Sequence, residues 1–248
     1  MNKIKLKNKD IIEEIIHKRK DVEIEKEREK LIDAKRNIEE FDKNFYGIYP
    51  QNAISLNIEN NFINVVSSNN TELFYGINTS SCKNYNVING NKIWMQDTTL
   101  KGRAINLSTF GTASSKMSVV SNNELSLIFN PTNKNNDVAG IYIMTANTAI
   151  VNNSIRISGG SQYETQGIYQ TGSLSETGYL VIKNNNIDMK TPTDYPIFIS
   201  NAKAIGTDRG QIDIDYNNLV APQYVGYVEN NMTSISDWQT YVSTDNNS

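Results

Sequence analysis

Apolar residues in the first part of the chain recur at helical spacing. The stripe consists of Ile24, Leu31 and Ile38, seven residues apart, with Ala34, Phe41 and Phe45 on the intervening positions. Glu27 interrupts it, and no Gly or Pro precedes Gly47. We predict an amphipathic α-helix over residues 1–46 that ends at Gly47 and Pro50.

Two interpretations of this helix remain open. Its apolar stripe extends over about three heptads, which is enough for a coiled coil that joins several copies of the chain. The same stripe would also suit a single helix that lies on the following domain.

After Pro50 the pattern changes to short strand-like runs rich in Asn, Ser, Thr, Ile and Val. An asparagine, any residue and an aliphatic residue recur at steps of 30, 32, 30, 32 and 32. The asparagines are Asn61, Asn91, Asn123, Asn153, Asn185 and Asn217, and the aliphatics are Ile63, Ile93, Leu125, Ile155, Ile187 and Leu219. A further aliphatic precedes each asparagine by three residues, at Ile58, Ile88, Val120, Ile150, Ile182 and Ile214.

A second motif follows about half a period later. In it, a glycine, alanine or proline comes directly before an aliphatic residue that should face inward. It occurs at Gly76-Ile77, Ala104-Ile105, Gly140-Ile141, Gly167-Ile168 and Pro196-Ile197. A fixed period with two or three strands per repeat is typical of a solenoid, because one coil cannot bury its aliphatics alone.

These repeats predict an all-β solenoid over residues 47–232, a right-handed parallel β-helix of about six coils. We expect the asparagines at turns, since Asn tolerates the left-handed region, with their amides bonded from coil to coil in a ladder. Residues 233–248 form a C-terminal segment, interpreted as an incomplete coil or a last coil capped by a partner.

Residues 50–230 resemble the right-handed parallel β-helix family, the pectate-lyase-like superfold. The stacked Asn-x-Ile turns and the GIYI segment at 140–143 carry this resemblance. The fold hosts lyases, hydrolases, adhesins and virus tail proteins, so it does not by itself imply an activity.

Enzymes of this fold that cleave acidic polysaccharides present carboxylates in a groove. The weak catalytic candidates here are Asp188, Asp194, Asp208, Arg209, Asp213 and Asp215. Asp213 and Asp215 share one strand face, and Asp208 with Arg209 could share a groove with Asp188 or Asp194. The simpler interpretation of the Asp213/Asp215 pair is a cross-coil ion pair with Lys183, which takes the position of Asp215 one coil earlier.

Aromatic and aliphatic residues mark two candidate surfaces. Tyr142 and Tyr169 follow the inward isoleucine in successive coils, so we expect an outward aromatic ladder that could bind a glycan or a protein. An apolar stripe four residues before the ladder asparagines should also face outward and need a cover. It consists of Val87, Val119, Ala149 and Val181.

Charge and composition exclude several kinds of site. The net charge is −3, which favours neither nucleic acid nor acidic lipid as a partner. His17, the only histidine, lies in the predicted helix, and Cys82 is the only cysteine. The β-repeat region therefore holds no histidine-based site, and no intrachain disulfide can form. We expect no cofactor, no metal and no membrane span, and the N-terminus has no signal-peptide pattern.

The favoured function is a non-enzymatic structural or receptor-binding β-helix protein. A helical N-terminus joined to a polar, Asn-rich β-helix resembles phage tail fibre, tailspike or other virion components, which are often trimers. That resemblance implies self-association or another virion or surface protein as partner, a glycan as receptor, and a virion or extracellular surface location. The alternatives are a polysaccharide lyase or glycoside hydrolase of the same fold, and a secreted bacterial adhesin.

Overall fold

The computed structural model describes the chain from residue 44 onward with gaps. The described residues are 44–67, 73–97, 101–108, 116–129, 138–144, 147–159, 165–171, 179–190, 194–200, 211–228 and 230–242. They belong to one compact unit, Asn44–Ser248. The predicted N-terminal helix lies outside the described residues, apart from its last positions.

Within these described ranges, twenty strands form three sheets. Sheet 1 contains β1 (Asn44–Ile48), β4 (Leu73–Thr79), β7 (Lys101–Leu107), β10 (Val138–Ile143), β13 (Gln166–Gln170), β16 (Tyr195–Ile199), β19 (Gly226–Val228) and β20 (Asn230–Met232). Sheet 2 contains β2 (Leu56–Glu59), β5 (Asn86–Asn89), β8 (Ser118–Ser121), β11 (Thr148–Val151), β14 (Tyr179–Lys183) and β17 (Gln211–Asp215). Sheet 3 contains β3 (Phe62–Ser67), β6 (Lys92–Asp97), β9 (Glu124–Phe129), β12 (Ser154–Ser158), β15 (Asn186–Met189) and β18 (Asn218–Val220).

Apart from β20, the strands pair in parallel with the equivalent strands of neighbouring repeats, which confirms a parallel β-solenoid. The repeated aliphatics align in register as columns. Ile58, Ile88 and Val120 begin one column in sheet 2, and Ile63, Ile93 and Leu125 begin one in sheet 3. A third column in sheet 1 is fully buried and consists of Ile77, Ile105, Ile141, Ile168 and Ile197. Stacking removes these side chains from water, which a single coil could not achieve.

The ladder of asparagines runs between sheets 2 and 3. The Nδ2 of each asparagine donates to the Oδ1 of the next one, over 2.9–3.0 Å at all five steps. That Oδ1 also accepts the backbone N–H of the earlier asparagine. From Asn91 onward, Nδ2 donates as well to a backbone carbonyl of the preceding coil. The side chains are therefore buried from Asn91 to Asn217, and each has its hydrogen-bonding groups satisfied.

The expectation that the ladder asparagines adopt the left-handed conformation is wrong. The left-handed position is the residue immediately before each one: Asn60, Gly90, Asn122, Asn152, Asn184 and Tyr216, with φ between 53° and 68°. This backbone bends the chain between sheets 2 and 3, and the following asparagine bonds to the asparagine of the next coil. One residue therefore supplies the left-handed backbone, and the asparagine after it supplies the side-chain amide of the ladder.

The second motif marks a place in sheet 1 where two successive residues face the interior. Ile77 is fully buried, and a Cβ on Gly76 would lie 2.7 Å from Cγ2 of the interior residue Ile93 and 2.6 Å from the Ala104 carbonyl oxygen. Strict alternation of side chains is interrupted there. A small residue is favoured because the next coil and the core leave little room.

The ends of the solenoid differ from the predicted boundaries. Strand β1 starts at Asn44 and pairs with β4, so the last residues assigned to the N-terminal helix are strand. The coil count also differs slightly from about six. Sheets 2 and 3 have six strands each, whereas sheet 1 has an extra parallel strand at its start and the antiparallel β20 at its end.

The described part of the C-terminal segment contains a helix that packs on the core, while the interpretation of residues 233–248 as an incomplete coil or a last coil capped by a partner stays a prediction. Helix α1 (Ile235–Val242) follows β20. The Ser234 hydroxyl accepts the Asp237 backbone N–H and donates to the Asp237 carboxylate, which caps the helix N-terminus. Trp238 is fully buried in the hydrophobic core, against Gly226, where any Cβ would meet the indole. The chain therefore closes this end of its own core.

Replacing one ladder amide should destabilise the protein. We expect Asn185→Ala to lower the free energy of unfolding by about 2–4 kcal/mol, because the neighbouring buried donors and acceptors lose their partners. Urea unfolding measures the change. The control is Asn186→Ala, an exposed asparagine in the same coil, with an expected change within about 0.5 kcal/mol. Equal effects of the two substitutions would refute the stabilising role of the ladder.

Candidate functional site

Asp188 lies on the outer face of sheet 3 and is engaged by two cations. Its carboxylate is 3.8 Å from Arg156 Nε, the residue in register one coil earlier, and 2.5 Å from Lys190 Nζ. The side chain is half-buried. A carboxylate held by two positive charges is suited to tie adjacent coils together.

The cross-coil ion pair on sheet 2 joins Lys183 to Asp213. Lys183 is in direct register with Asp215, yet its Nζ lies 2.7 Å from the Asp213 carboxylate. The predicted register is therefore confirmed, while the ion pair uses the diagonal neighbour. The hydrogen bond from Lys183 to Asp213 raises the pKa of this lysine, and Asp215 adds a smaller effect in the same direction.

Of the remaining carboxylate candidates, the structure describes Asp194, which lies elsewhere in the coil. Asp194 is fully buried before β16 and accepts a hydrogen bond from the Thr165 hydroxyl, in the preceding coil. Asp208 and Arg209 lie outside the described residues. Asp188, Asp194 and Asp213 thus belong to three different parts of the coil. Among the described residues, no three His, Cys, Asp or Glu side chains gather in a group that could hold a metal ion.

The aromatic ladder predicted from Tyr142 and Tyr169 exists in sheet 1 and continues beyond them. Tyr142 pairs in register with Tyr169, followed by Phe198 and Tyr227. Neighbouring rings lie 4.2–5.3 Å apart, edge-to-face at the first two steps and stacked at the last.

Tyr142 is not the open platform that the sequence suggested. The Arg103 guanidinium carbon lies 3.4 Å from its ring centroid, and only 9% of the residue is exposed. Arg103 is held there by a 2.8 Å hydrogen bond to the Asn106 Oδ1, and the Tyr142 hydroxyl accepts a hydrogen bond from Thr171. The ring therefore serves a cation–π contact within the fold.

The predicted apolar stripe aligns on sheet 2. Val87, Val119, Ala149 and Val181 are partners in successive strands, and all are half-buried. Each lies one position from a fully buried column residue, as expected for the outer face of a strand.

A more exposed apolar surface, which sequence reasoning missed, lies on the outer face of sheet 3. Phe62 is 59% exposed and Trp94 36% exposed, with ring centroids 5.2 Å apart and planes at 90°. Val66 and Ile128 on the same face are 73% and 42% exposed. The signal was present in the repeat: Phe62 follows Asn61 directly, and Trp94 comes three residues after Asn91. Both positions face outward once the ladder fixes the alternation.

Two further observations concern the single cysteine and membrane-spanning helices. Cys82 is buried, which raises the pKa of its thiol and disfavours the reactive thiolate. Within the described residues, no helix has the length and hydropathy needed to cross a membrane.

Comparison of the chain with protein-family models, with curated proteins and with solved structures gives no match. The fold assignment therefore depends on the strand registers and the ladder themselves. These establish a parallel β-solenoid, and any narrower kinship is a matter of proposal.

Removing the Asp213 charge should reduce stability in a pH-dependent way. The pKa of Lys183 is raised by folding, so the pair stabilises the fold below the ordinary lysine pKa, and this stabilisation is lost as the pH rises through the folded value. We expect Asp213→Asn to lower the free energy of unfolding by about 0.3–1 kcal/mol at neutral pH and by less in strong alkali. Urea unfolding at both pH values, in a double-mutant cycle with Lys183→Met, isolates the pair. A coupling energy that is the same at both pH values would contradict this assignment.

Proposed function

We propose that this protein is a non-enzymatic, receptor-binding β-helix of the tail-fibre or tailspike kind, located on a virion or another extracellular surface. The observation that carries the proposal is a stiff, continuously bonded solenoid that displays the exposed Phe62–Trp94 pair on its outer face. Exposed apolar patches of this kind mark interaction sites.

The rigidity of the shaft supports this role. The interior is filled by aliphatic columns, and the ladder of amides, buried from Asn91 onward, crosses every coil boundary from Asn61 to Asn217. A scaffold of this kind holds surface side chains at fixed spacing, which lowers the entropic cost of binding.

The environment of the carboxylates also favours binding over catalysis. Asp188 and Asp213 neutralise cations within their own sheets, and Asp194 is buried against Thr165. A glycosidase needs two carboxyl groups facing each other across one sugar. The positions of these three residues instead suit coil-to-coil fastening.

Retention without cleavage tests the proposal. The full chain is incubated with immobilised bacterial surface polysaccharides, and both the retained protein and the soluble saccharide ends are measured. We expect retention that saturates with protein and no time-dependent release of saccharide. Release that grows with protein concentration would establish a lyase or hydrolase instead. Neither retention nor release on any polysaccharide would refute receptor binding to glycans.

We also propose that the chain self-associates, as a trimer, through the valine stripe on sheet 2. The stripe offers half-buried apolar side chains in register, and a virion shaft built from three chains would cover them. Light scattering should give about three times the chain mass of 27.9 kDa.

We expect Val119→Lys and Val181→Lys to shift that mass towards the monomer, because a buried lysine charge in an interface is costly. Ser154→Lys, on the outer face of sheet 3, is the matched control and should keep the parent mass. If the parent is monomeric, self-association is wrong. If both valine variants keep the parent mass and melting temperature, the interface lies elsewhere.

A further inference from the structure

The Phe62–Trp94 pair is a fixed structure on the surface. The Trp94 indole N–H donates to one oxygen of the Glu124 carboxylate over 3.3 Å. The other carboxylate oxygen lies 3.1 Å from Lys92 Nζ. Phe62 then packs edge-to-face against the indole. Three contacts therefore set the orientation of an exposed aromatic ring, which is how a preorganised binding platform is built.

The charges directly beside Trp94 compensate each other, because Lys92 pairs with Glu124. Further along the Trp94 row, Arg156 faces Asp188, which Lys190 also contacts. An anionic ligand would find no free cation beside Trp94 in the described residues and would approach the Glu124 carboxylate. Charge complementarity thus favours an uncharged ligand.

Neutral hydrogen-bonding groups flank the rings. Asn64 is the register partner of Trp94 in the preceding coil, and Ser126 is its partner in the next one. Gln96 is two residues after Trp94 on the same face and is exposed, as is Asn64. Amides and hydroxyls beside an aromatic face suit a ligand that has both apolar faces and hydroxyl edges.

We propose that this surface, formed by Phe62, Asn64, Trp94, Gln96 and Ser126, binds a neutral glycan. Pyranoses with equatorial substituents, such as β-1,4-linked glucose or N-acetylglucosamine, present flat C–H faces to the indole and hydroxyls to the amides. Successive coils repeat at about 4.8 Å, so an extended glycan would run along the solenoid axis across several coils. This inference names the receptor class of the proposed function and rests on it.

The test uses the full chain and three soluble hexasaccharide probes: β-1,4-linked glucose, β-1,4-linked N-acetylglucosamine and, as the anionic comparison, α-1,4-linked galacturonate. Trp94 and Trp238 are the only two tryptophans, and Trp238 is fully buried. A change in tryptophan emission on binding therefore reports Trp94. We expect at least one neutral probe to bind at millimolar concentration or tighter and the galacturonate probe to bind more weakly.

Substitutions then separate a glycan platform from a generally apolar patch. Trp94→Leu and Phe62→Leu keep the surface apolar but remove the rings, and each should weaken binding about five- to tenfold, measured by calorimetry. Trp94→Phe should recover part of the affinity. The matched control is Ile128→Ala on the same face, which should leave both the affinity and the thermal melting unchanged.

Three results would overturn the glycan site. One is no binding by either neutral probe. Another is unchanged binding in Trp94→Leu. The third is a loss of oligomer mass in Ile128→Ala and Trp94→Leu without glycan binding, which would make this face an interface between copies of the chain. In each case, retention on bacterial polysaccharides without cleavage would leave the proposed function standing.

Discussion

Buried amide groups must find hydrogen-bond partners, and this requirement organises the solenoid. A carboxamide in an apolar interior is costly unless its donors and acceptor are all engaged. Asn91 meets the requirement through Asn123 in the next coil and the Ile58 carbonyl in the preceding one. Each coil thereby needs the coil on either side. At the turn between sheets 2 and 3, the ladder holds successive coils in one register, and the aliphatic columns have the same register.

The same register also aligns the side chains on the outer surface. Once the interior positions are fixed, every outward side chain lies above its counterpart in the next coil. Lys183 can then reach Asp213, Arg156 can reach Asp188, and Tyr142 packs against Tyr169. In these rows the outward side chains bind or pack against one another. The Phe62–Trp94 pair differs, because Glu124 orients the Trp94 indole and Phe62 packs against that indole, while both rings stay exposed to solvent.

The repeat made much of this fold predictable, since a column of identical residues at one period has few physical explanations. The repeat could not predict features that depend on the contacts of single residues. The left-handed position precedes the ladder residue, and Asn-Asn doublets hide which of the two it is. Gly90 before Asn91 and Tyr216 before Asn217 are the two exceptions, and the glycine indicates the left-handed position. The cap was marked by the Ser234-x-x-Asp237 pattern, yet only burial of Trp238 shows that the helix closes the core. Similarly, nothing in the spacing indicates that Arg103 covers Tyr142.

The cap has a consequence for how the molecule can change over time. Trp238 closes the core by packing on Gly226, so the closing helix and the last coil form a terminal module. Coils in the middle contact only their neighbours and present equivalent faces to them. Duplication or loss of one such unit would lengthen or shorten the shaft in steps of about 4.8 Å and leave the terminal module intact. The length of the solenoid can therefore vary separately from the packing that closes this end of the core.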